Sequence, residues 1–327
     1  MKKLKDQLME LLNIYAPSKE EAPVRKYLVP ILKMSEFSVN IDEYGNILAE
    51  KKIGTGKGAT VLLSAHMDTV SNVYPDRELL DNGDIIISSK GALGADDRAG
   101  IAIILAVLRN LDQISFDGVI KIAFSREEEI GCVGAKMIDL EWYSNVDLAI
   151  VVDRRGNNNI VVGCMDAFCS DAVGTFVEEC AKMSDMDWNA IEGGISDATV
   201  FSKNGINSIN LSAGYYNEHT EREYVCIDDM KRTVQLIMQI FAVINHHYTG
   251  FGEVPMENQW VQRYSEYRNF YGYGDEDLSD DGEIWVEKDD VYAYGVSNQI
   301  ILQQGNNEIV LSKVDFKDLM KQLESQI

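Results

Sequence analysis

Residues 91–100 read Gly-Ala-Leu-Gly-Ala-Asp-Asp-Arg-Ala-Gly. The two adjacent carboxylates, Asp96 and Asp97, lie between a glycine-rich turn and an apolar run that continues to Leu108. The length and composition of that run are typical of a buried helix. An aspartate at this point can cap the helix N-terminus, or it can bind a cation. The stretch alone leaves both alternatives open.

Four other apolar runs have the length of β-strands, and each is followed closely by a histidine or a carboxylate. The carboxyl ends of the strands form the ligand-binding edge of an open α/β sheet. We therefore expect these side chains to meet Asp96 at one edge of a sheet. The runs and the side chains that follow them are 60–65 with His66 and Asp68, 119–125 with Glu127, Glu128 and Glu129, 146–152 with Asp153, and 208–212 with His219.

Strands and helical segments alternate between residues 60 and 152, which predicts an α/β fold. The predicted architecture is a mixed, mostly parallel central sheet with helices on both faces, followed by a small C-terminal segment rich in β-structure. A hairpin that joins 37–41 to 46–49 is expected at the edge of the sheet. The predicted helices cover 2–15, 98–111, 134–140, 166–181 and 228–244, with one more that starts from a capping box at 18–21 and a short one that ends at Phe201.

The composition changes towards the C-terminal end, and three regions are predicted. Residues 1–250 are expected to form the catalytic domain, residues 251–283 an acidic and aromatic linker, and residues 284–327 a small accessory module. The accessory module would combine short strands with a closing helix at 316–323. The acidic run 275–281 lacks the ligand spacing of a calcium loop, so a solvated linker is the favoured interpretation.

The 327 residues carry a formal net charge of −23 and are 46% hydrophobic, which is a globular composition with a strongly acidic balance. Such a charge argues against nucleic acid and anionic membranes as partners. No apolar run reaches the length of about 18 residues that a membrane span needs, and the N-terminal residues do not show the apolar core of a signal peptide. Five cysteines without Cys-x-x-Cys spacing predict reduced thiols and a cytoplasmic protein.

The histidines and carboxylates predict a site for two divalent cations. Two cations about 3.5–4 Å apart need one bridging carboxylate, with an imidazole and a second carboxylate for each ion. Ligands of this kind suit zinc, and cobalt or manganese are alternatives. The candidate ligands are Asp96 as the bridge, His66 and Asp153 for one ion, and His219 and Glu129 for the other.

Two further carboxylates have predicted roles beside these ligands. Glu128 is adjacent to the candidate ligand Glu129, and we expect it to act as the general base for the attacking water. Asp68 follows His66 by two residues, so it can accept the second N–H of the imidazole and fix its tautomer.

Taken together, the motifs resemble the co-catalytic zinc exopeptidase superfamily, which includes peptidase T, the carboxypeptidase G-like enzymes and the single-domain bacterial aminopeptidases. The resemblance extends over residues 2–248, in the order found in the family. The segments that match are His66-Met-Asp-Thr69, Gly94 to Gly100, Glu128 to Gly131, Asp153, Gly193 to Ala198 and Gly214 to Thr220.

The resemblance also assigns roles within two ambiguous clusters. It implies that Asp96, rather than Asp97, is the bridging ligand. It implies that Glu128 is the proton shuttle and Glu129 a ligand, because Gly131 fixes the register of the Glu-Glu-x-Gly motif.

Some members of the superfamily carry a lid, a dimerisation domain inserted between the ligand equivalent to Asp153 and the Gly-Gly segment. Here about forty residues separate Asp153 from Gly193, which is too few for a second domain. The resemblance therefore implies a chain without the lid, in which any oligomer forms through another surface. The lid's groups for a substrate carboxylate are then missing too. These features favour a metallo-aminopeptidase that hydrolyses short peptides from a free amino terminus.

The sequence is also compatible with two alternatives to an aminopeptidase. The same site could remove the acyl group from an N-acyl amino acid or hydrolyse another small amide. The chain could instead be a non-catalytic metal-binding or assembly protein on the same fold. That alternative predicts a damaged ligand set or a missing base, and the sequence shows neither.

Five residues near the predicted site have open roles. Arg154 and Arg155 either pair with surface acids or bind a carboxylate of the substrate. Tyr215 and Tyr216 either pack in the core or stabilise the oxyanion of the reaction. Asp197 either caps a helix or binds the amino group of the substrate.

Overall fold

The structure is a computed structural model that describes residues 3–255 and four strands between residues 286 and 312. The chain divides into two compact units, Met1–Trp260 and Val261–Ile327. Each unit is described by itself.

The first unit contains a central sheet of nine strands and a smaller sheet of four. The strands are β1 (Ser38–Ile41), β2 (Ile47–Ile53), β3 (Thr60–His66), β4 (Leu79–Asp81), β5 (Ile85–Ser88), β6 (Gly118–Ser125), β7 (Leu148–Arg154), β8 (Asn159–Cys164), β9 (Asp166–Ala167), β10 (Asn189–Glu192), β11 (Ser208–Ser212), β12 (Tyr215–Tyr216) and β13 (Tyr224–Cys226). The helices are α1 (Leu4–Leu12), α2 (Ala22–Met34), α3 (Ala95–Asn110), α4 (Val133–Lys136), α5 (Leu140–Tyr143), α6 (Asp171–Met183), α7 (Asp197–Lys203) and α8 (Ile227–Val243).

The central sheet has the order β1-β2-β6-β3-β7-β11-β8-β10, and β9 pairs with β8. Its four middle strands, β6, β3, β7 and β11, run parallel. In this register His66, the last residue of β3, lies opposite Ser125, the last residue of β6. Arg154 at the end of β7 likewise lies opposite Ser212 at the end of β11. The carboxyl ends of the middle strands are therefore aligned along one edge.

Apolar clusters cover both faces of the central sheet. All seven residues of β3 are buried, as expected for a strand with helices on both sides. Val61 and Leu63 belong to the large cluster that includes α1, α3 and α8. Leu62, which points to the opposite face, packs in the cluster that contains Phe201 of α7. The predicted fold class, a mixed and mostly parallel sheet between two layers of helices, is confirmed.

The smaller sheet has the order β12-β13-β5-β4, and all its pairs are antiparallel. The sequence did not predict it, because its strands are two to four residues long and lie far apart in the chain. The segment 217–223, which carries His219, connects β12 to β13. This sheet therefore fixes both ends of the His219 loop.

Three predicted helices differ from the structure. The helix at 134–140 is wrong: two single turns, α4 and α5, replace it, because the carboxylate of Asp139 accepts the backbone N–H of Glu141 and starts a new turn. The helix at 166–181 begins only at Asp171, since β9 pairs with β8 first. The hydroxyl of Ser18 donates to Asp68 instead of capping α2.

The second unit contains a four-stranded antiparallel sheet with the order β14-β15-β16-β17. The predicted helix at 316–323 and the acidic run at 275–281 lie outside the described residues. No helix among the described residues has the length and hydropathy needed to cross a membrane. The strands are β14 (Val286–Lys288), β15 (Val291–Val296), β16 (Gln299–Gln304) and β17 (Asn307–Ser312).

Candidate metal centre

The carboxylate of Asp96 lies between the two histidines of the predicted site. Its Oδ1 is 3.0 Å from Nε2 of His66, at the end of β3. Its Oδ2 is 3.2 Å from Nε2 of His219, in the loop between β12 and β13. Each oxygen of one carboxylate therefore faces a different imidazole, which is the arrangement that a ligand shared by two cations requires.

One further carboxylate lies beside each histidine. Oδ1 of Asp153, near the end of β7, is 3.6 Å from Nε2 of His66. Oε2 of Glu129, in the loop after β6, is 2.8 Å from Nε2 of His219. The side chains of His66, Asp153 and Glu129 are less than a tenth exposed, whereas that of His219 is 48% exposed. The centre is therefore buried on the side of the sheet and open on the side of His219.

Asp68 connects His66 to the loop that carries Glu128 and Glu129. Its Oδ1 is 3.2 Å from Nδ1 of His66, close enough for an ion pair although out of line for a good hydrogen bond. The same carboxylate accepts the backbone N–H groups of Glu128 and Glu129. Asp68 therefore positions an imidazole and two glutamates together.

Glu128 lies beside the pair formed by His66 and Asp96. Its Oε2 is 4.0 Å from Nε2 of His66. Its Oε1 accepts the thiol of Cys132 at 3.2 Å. Oε2 thus faces the candidate centre, and Oε1 is held by the thiol of Cys132.

The two residues after Asp96 hold the end of β3 against α3. Oδ2 of Asp97 accepts the backbone N–H of His66, and Oδ1 accepts that of Gly100 in the first turn of the helix. The buried guanidinium of Arg98 donates to the carbonyl of Met67. Asp97 therefore supplies the helix cap, and Asp96 is left to face the histidines.

Glu223 is a buried carboxylate that the sequence did not single out. It accepts three consecutive backbone N–H groups, from Gly94 at 2.9 Å, Ala95 at 2.7 Å and Asp96 at 3.1 Å. Glu223, in the His219 loop, therefore holds the glycine-rich turn before α3 in place. Its only sequence signal is its position four residues after His219, which does not distinguish it from Glu221.

The pKa values of the histidines and of Asp96 reflect mutual pairing. Burial lowers the pKa of His66, but pairing with the carboxylates of Asp153, Asp68 and Asp96 outweighs it and holds the pKa well above its usual value. Asp96 and Glu129 likewise raise the pKa of His219, although water screens part of this effect at its exposed side chain. Burial would raise the pKa of Asp96, yet its bonds to the two histidines lower it.

Burial and neighbouring charges also shift the pKa values of the other carboxyl groups of the centre. Burial and the charge of Asp96 raise the pKa of Asp153 to about 7 and also raise that of Glu129. Burial and the charge of Asp153 raise the pKa of Glu128 well above its ordinary value. The pKa of Asp68 is lowered to about 2, because bonds from His66 and Ser18 outweigh its burial. Carboxylates crowded in this way favour a bound cation.

The donor set fits divalent cations. Two groups of side chains converge to within 4.8 Å, namely His66 with Glu128 and Asp153, and His66 with Asp96 and Glu129. Oε1 of Glu129 is buried and has no hydrogen-bond partner among the described residues. A buried polar atom of this kind is costly unless a ligand satisfies it.

The two arginines and the two tyrosines with open roles have different partners in the structure. Nε of Arg155 pairs with Glu218 at 2.7 Å, whereas Nε of Arg154 is buried without a hydrogen-bond partner among the described residues. The hydroxyl of Tyr215 donates to Oδ1 of Asp153 at 3.0 Å. That of Tyr216 donates to a different acid, Asp229. Of the two tyrosines, Tyr215 contacts the candidate centre.

Asp197 does not cap α7. The hydroxyl of Ser196 accepts the N–H of Ala198 and serves as the cap. Oδ2 of Asp197 instead accepts the hydroxyl of Ser125 at 2.5 Å, and the residue is 1% exposed.

Several known proteins are similar to this chain over part of their length. The uncharacterized protein YqjE of Bacillus subtilis is 30% identical over 173 residues, which are 49% of this chain and 46% of that protein. A putative LysW-lysine/LysW-ornithine hydrolase of Pyrococcus furiosus is 29% identical over 160 residues, which are 48% of this chain and 43% of that protein. The chain thus matches just under half the length of these curated relatives.

The fold is also found among solved structures. The aminopeptidase PepT of Bacillus cereus superposes with a TM-score of 0.67 at 19% identity, over 73% of this chain and 97% of that structure. The predicted resemblance to the co-catalytic zinc exopeptidase superfamily is confirmed. The sequence profile of the M42 glutamyl aminopeptidases matches residues 72–236, half of the chain. The chain therefore belongs to the M42 glutamyl aminopeptidase family.

Proposed function

We propose that the chain is a metallopeptidase, and that it acts as an aminopeptidase on short peptides. The observation that supports this most directly is the position of Asp96, whose two oxygens face His66 and His219 separately. Two divalent cations would be held by His66 with Asp153 and by His219 with Glu129, and Asp96 would be shared. Zinc fits this donor set, and cobalt or manganese are alternatives.

Glu128 is the proposed proton shuttle. When bound, the cations would polarise the scissile carbonyl and make water a better nucleophile. Oε2 of Glu128 faces the centre, so it can take a proton from the attacking water and deliver it to the leaving amine. Asp68 holds His66 and the Glu128 loop in place, and so keeps the base within reach.

The surroundings of the centre favour a free amino terminus as the recognised group. The candidate centre is rich in buried carboxylates, and these attract a cationic group. Residues 159–192 include β8, β9, α6 and β10, and these strands belong to the central sheet. We therefore propose that this segment is part of the catalytic unit rather than a lid. A lid would then not be available to bind the substrate carboxylate.

A second candidate is an amide hydrolase for small N-substituted amino acids. The observation that favours it is the name of the Pyrococcus furiosus relative, a putative LysW-lysine/LysW-ornithine hydrolase. The same donor set and the same base would serve this reaction. Aminoacyl-p-nitroanilides and N-acetyl amino acids, assayed side by side, distinguish the two candidates.

The test is cation content together with hydrolysis in wild-type protein, Glu128→Gln and Glu127→Gln. The Glu127 carboxylate pairs with Arg126 and serves as the matched control. We expect about two cations per chain in all three proteins. Glu128→Gln should lower kcat by a factor of about 10²–10⁴ because it removes proton transfer, and Glu127→Gln should change kcat little.

Two results would contradict the proposal. Wild-type protein that binds no stoichiometric cation would refute the ligand set. Hydrolysis that survives in Glu128→Gln would refute the role of Glu128, even if two cations are bound.

A further inference from the structure

Behind the proposed base lies a second group of possible cation ligands. Sγ of Cys132, a carboxylate oxygen of Glu128 and one of Asp197 all lie within 4.8 Å of one another. Sγ is 3.2 Å from Oε1 of Glu128, the oxygen that points away from the His66 side. Cys132 is 2% exposed and Asp197 is 1% exposed.

The loop after β6 turns back sharply to form this group. The backbone carbonyl of Glu128 accepts the N–H groups of both Gly131 and Cys132 at 2.8 Å. Cys132 adopts a left-handed conformation with φ of +52°, which is uncommon for a residue with a side chain. This turn places the thiol against the Glu128 carboxylate, four residues earlier in the chain.

Asp197 provides an independent observation that points to a ligand. Its Oδ2 is occupied by the hydroxyl of Ser125. Its Oδ1 is buried and has no hydrogen-bond partner among the described residues. A carboxylate oxygen of Asp197 lies within 4.8 Å of the thiol and of Glu128, and a buried carboxylate oxygen without a partner is costly unless it binds something.

The many carboxyl groups around the candidate centre favour the binding of another cation. The carboxyl groups around the centre outnumber the five positive charges that two divalent cations and the buried Arg98 would supply. A further cation would therefore reduce the net charge of the region. The seven carboxylates are Asp68, Asp96, Asp97, Glu128, Glu129, Asp153 and Asp197.

We propose that Cys132, Glu128 and Asp197 form a third, inhibitory cation site that is selective for zinc or cadmium. A thiolate with two carboxylates and a water molecule matches the four ligands that zinc accepts. Thiolate ligands favour soft cations over manganese or magnesium. Binding replaces the Cys132 S–H proton, which is released to solvent, by an S–metal bond.

The third site would control turnover through Glu128. When Oε1 of Glu128 and the Cys132 thiolate hold the third cation, the carboxylate can no longer accept and release a proton freely. Zinc would thus activate at two equivalents per chain and inhibit beyond that. This effect on turnover rests on the proposed function, whereas the ligand set does not.

The experiment uses the full chain loaded with two zinc ions, without added thiols. Cadmium is then titrated, and the ultraviolet charge-transfer absorption of a cadmium–thiolate bond is recorded. Hydrolysis of an aminoacyl substrate is measured in parallel against buffered free zinc. For wild-type protein we expect one further equivalent to produce the absorption, and inhibition at high free zinc.

Cys132→Ala and Cys132→Ser separate the third site from other effects of excess metal. Both should abolish the cadmium absorption, and the half-inhibitory zinc concentration should rise at least about tenfold. Cys180→Ala is the matched control, since Cys180 is fully buried in α6 and belongs to none of the ligand groups among the described residues. It should behave like wild type.

The outcomes for the two proposals are distinct. Absorption that persists in both Cys132 variants, or unchanged zinc inhibition in them, would overturn the third site and leave the proposed function intact. A wild-type chain that shows the absorption but no hydrolysis would overturn the proposed function and retain the site. If the alanine variant does not fold, the serine variant decides.

Discussion

At the scale of single residues, adjacent side chains of one motif have different tasks. Asp96 faces two histidines, Asp97 caps α3 and binds the end of β3, and Arg98 fixes the carbonyl after His66. Side-chain type alone does not distinguish the two aspartates. The backbone is non-helical at both residues, and their carboxylates reach different partners.

Asp147 shows what burial does to a carboxylate outside the site. It sits just before β7 and accepts the N–H of Thr60 at 2.7 Å, so it links the beginnings of β3 and β7. Burial raises its pKa above the ordinary value, although this hydrogen bond lowers it in part. Its ionised form is therefore less favourable in the folded chain than in the unfolded one.

Asp147→Asn should stabilise the protein, and increasingly so as the pH rises. A carboxyl whose folded pKa is raised supports folding fully below its unfolded pKa and loses that contribution as the pH rises through the folded pKa. The gain near neutral pH should stay below about 1 kcal/mol, because the side chain is only partly buried. Chemical unfolding curves that begin below the ordinary pKa of 3.8 and extend to pH 8 measure it. The exposed Asp187→Asn is the control, and a gain that shrinks as the pH rises would refute the prediction.

At the scale of secondary-structure elements, the site depends on how closely α3 approaches the sheet. A Cβ atom on Gly100, in the first turns of α3, would lie 2.0 Å from the carbonyl oxygen of Val152 in β7. Only glycine therefore allows this approach, which also brings Asp96 to the strand ends. Gly174 faces β8 and β10 from α6 in a similar way, but a Cβ there would meet its nearest neighbour at 3.5 Å.

Gly100→Ala and Gly174→Ala should have opposite effects on stability. Gly100→Ala forces α3 away from β7 and should lower the free energy of unfolding by about 1–3 kcal/mol. Gly174→Ala should raise it by about 1 kcal/mol, because alanine favours the helix and fits the available space. Midpoints of unfolding in urea test both. Equal effects of the two substitutions would contradict the packing argument.

Glu223→Gln should weaken cation binding without unfolding the chain. The three N–H groups of Gly94, Ala95 and Asp96 point to one carboxylate, and an amide would present its own N–H₂ to them. We expect the affinity for cations to fall by a factor of about 10–100, as for other groups that orient metal ligands. Calorimetric titration with zinc measures it. The exposed Glu221→Gln should retain wild-type affinity, and equal losses in both variants would refute this role.

At the scale of the whole molecule, the candidate site lies entirely within the first unit. Its side chains come from the ends of β3, β6 and β7, the start of α3 and the loop before β13. Near the end of the described part of the first unit, the ring of Phe251 lies 5.2 Å from that of Phe176, and its carbonyl accepts the hydroxyl of Ser170. The carbonyl of Gly252 accepts the amide of Asn207 at 2.8 Å. We therefore expect catalysis to belong to this unit.

A chain that ends at Pro255 should fold, bind the same number of cations and retain the kcat of the full chain. A chain that ends at His247 should be less stable, because it loses the buried Phe251 ring and the bonds to Ser170 and Asn207. Thermal unfolding, cation content and peptide hydrolysis compare the two. Loss of hydrolysis in the longer fragment, with cations still bound, would instead assign a catalytic role to residues beyond 255.

The sequence by itself predicted the α/β class and the strand ends that carry His66, Asp153 and the Glu128 loop. It could do so because hydrophobic periodicity and the polar residues that follow each run are local properties of the chain. The same local signals misplaced the helix at 134–140, where the Asp139 cap interrupts it. Roles for the candidate residues stay predictions, although the structure brings those residues together.

Contacts between residues far apart in the chain became visible only in the tertiary structure. The short strands that hold the His219 loop have too few residues for a periodic signal, and Glu223 acts on backbone groups more than 120 positions away. Arg154 and Arg155 have different environments, and Cys132 clusters with Asp197. Both arrangements likewise depend on the packing of several elements. Local sequence fixes which groups each element presents, whereas the alignment of strand ends fixes which of those groups meet.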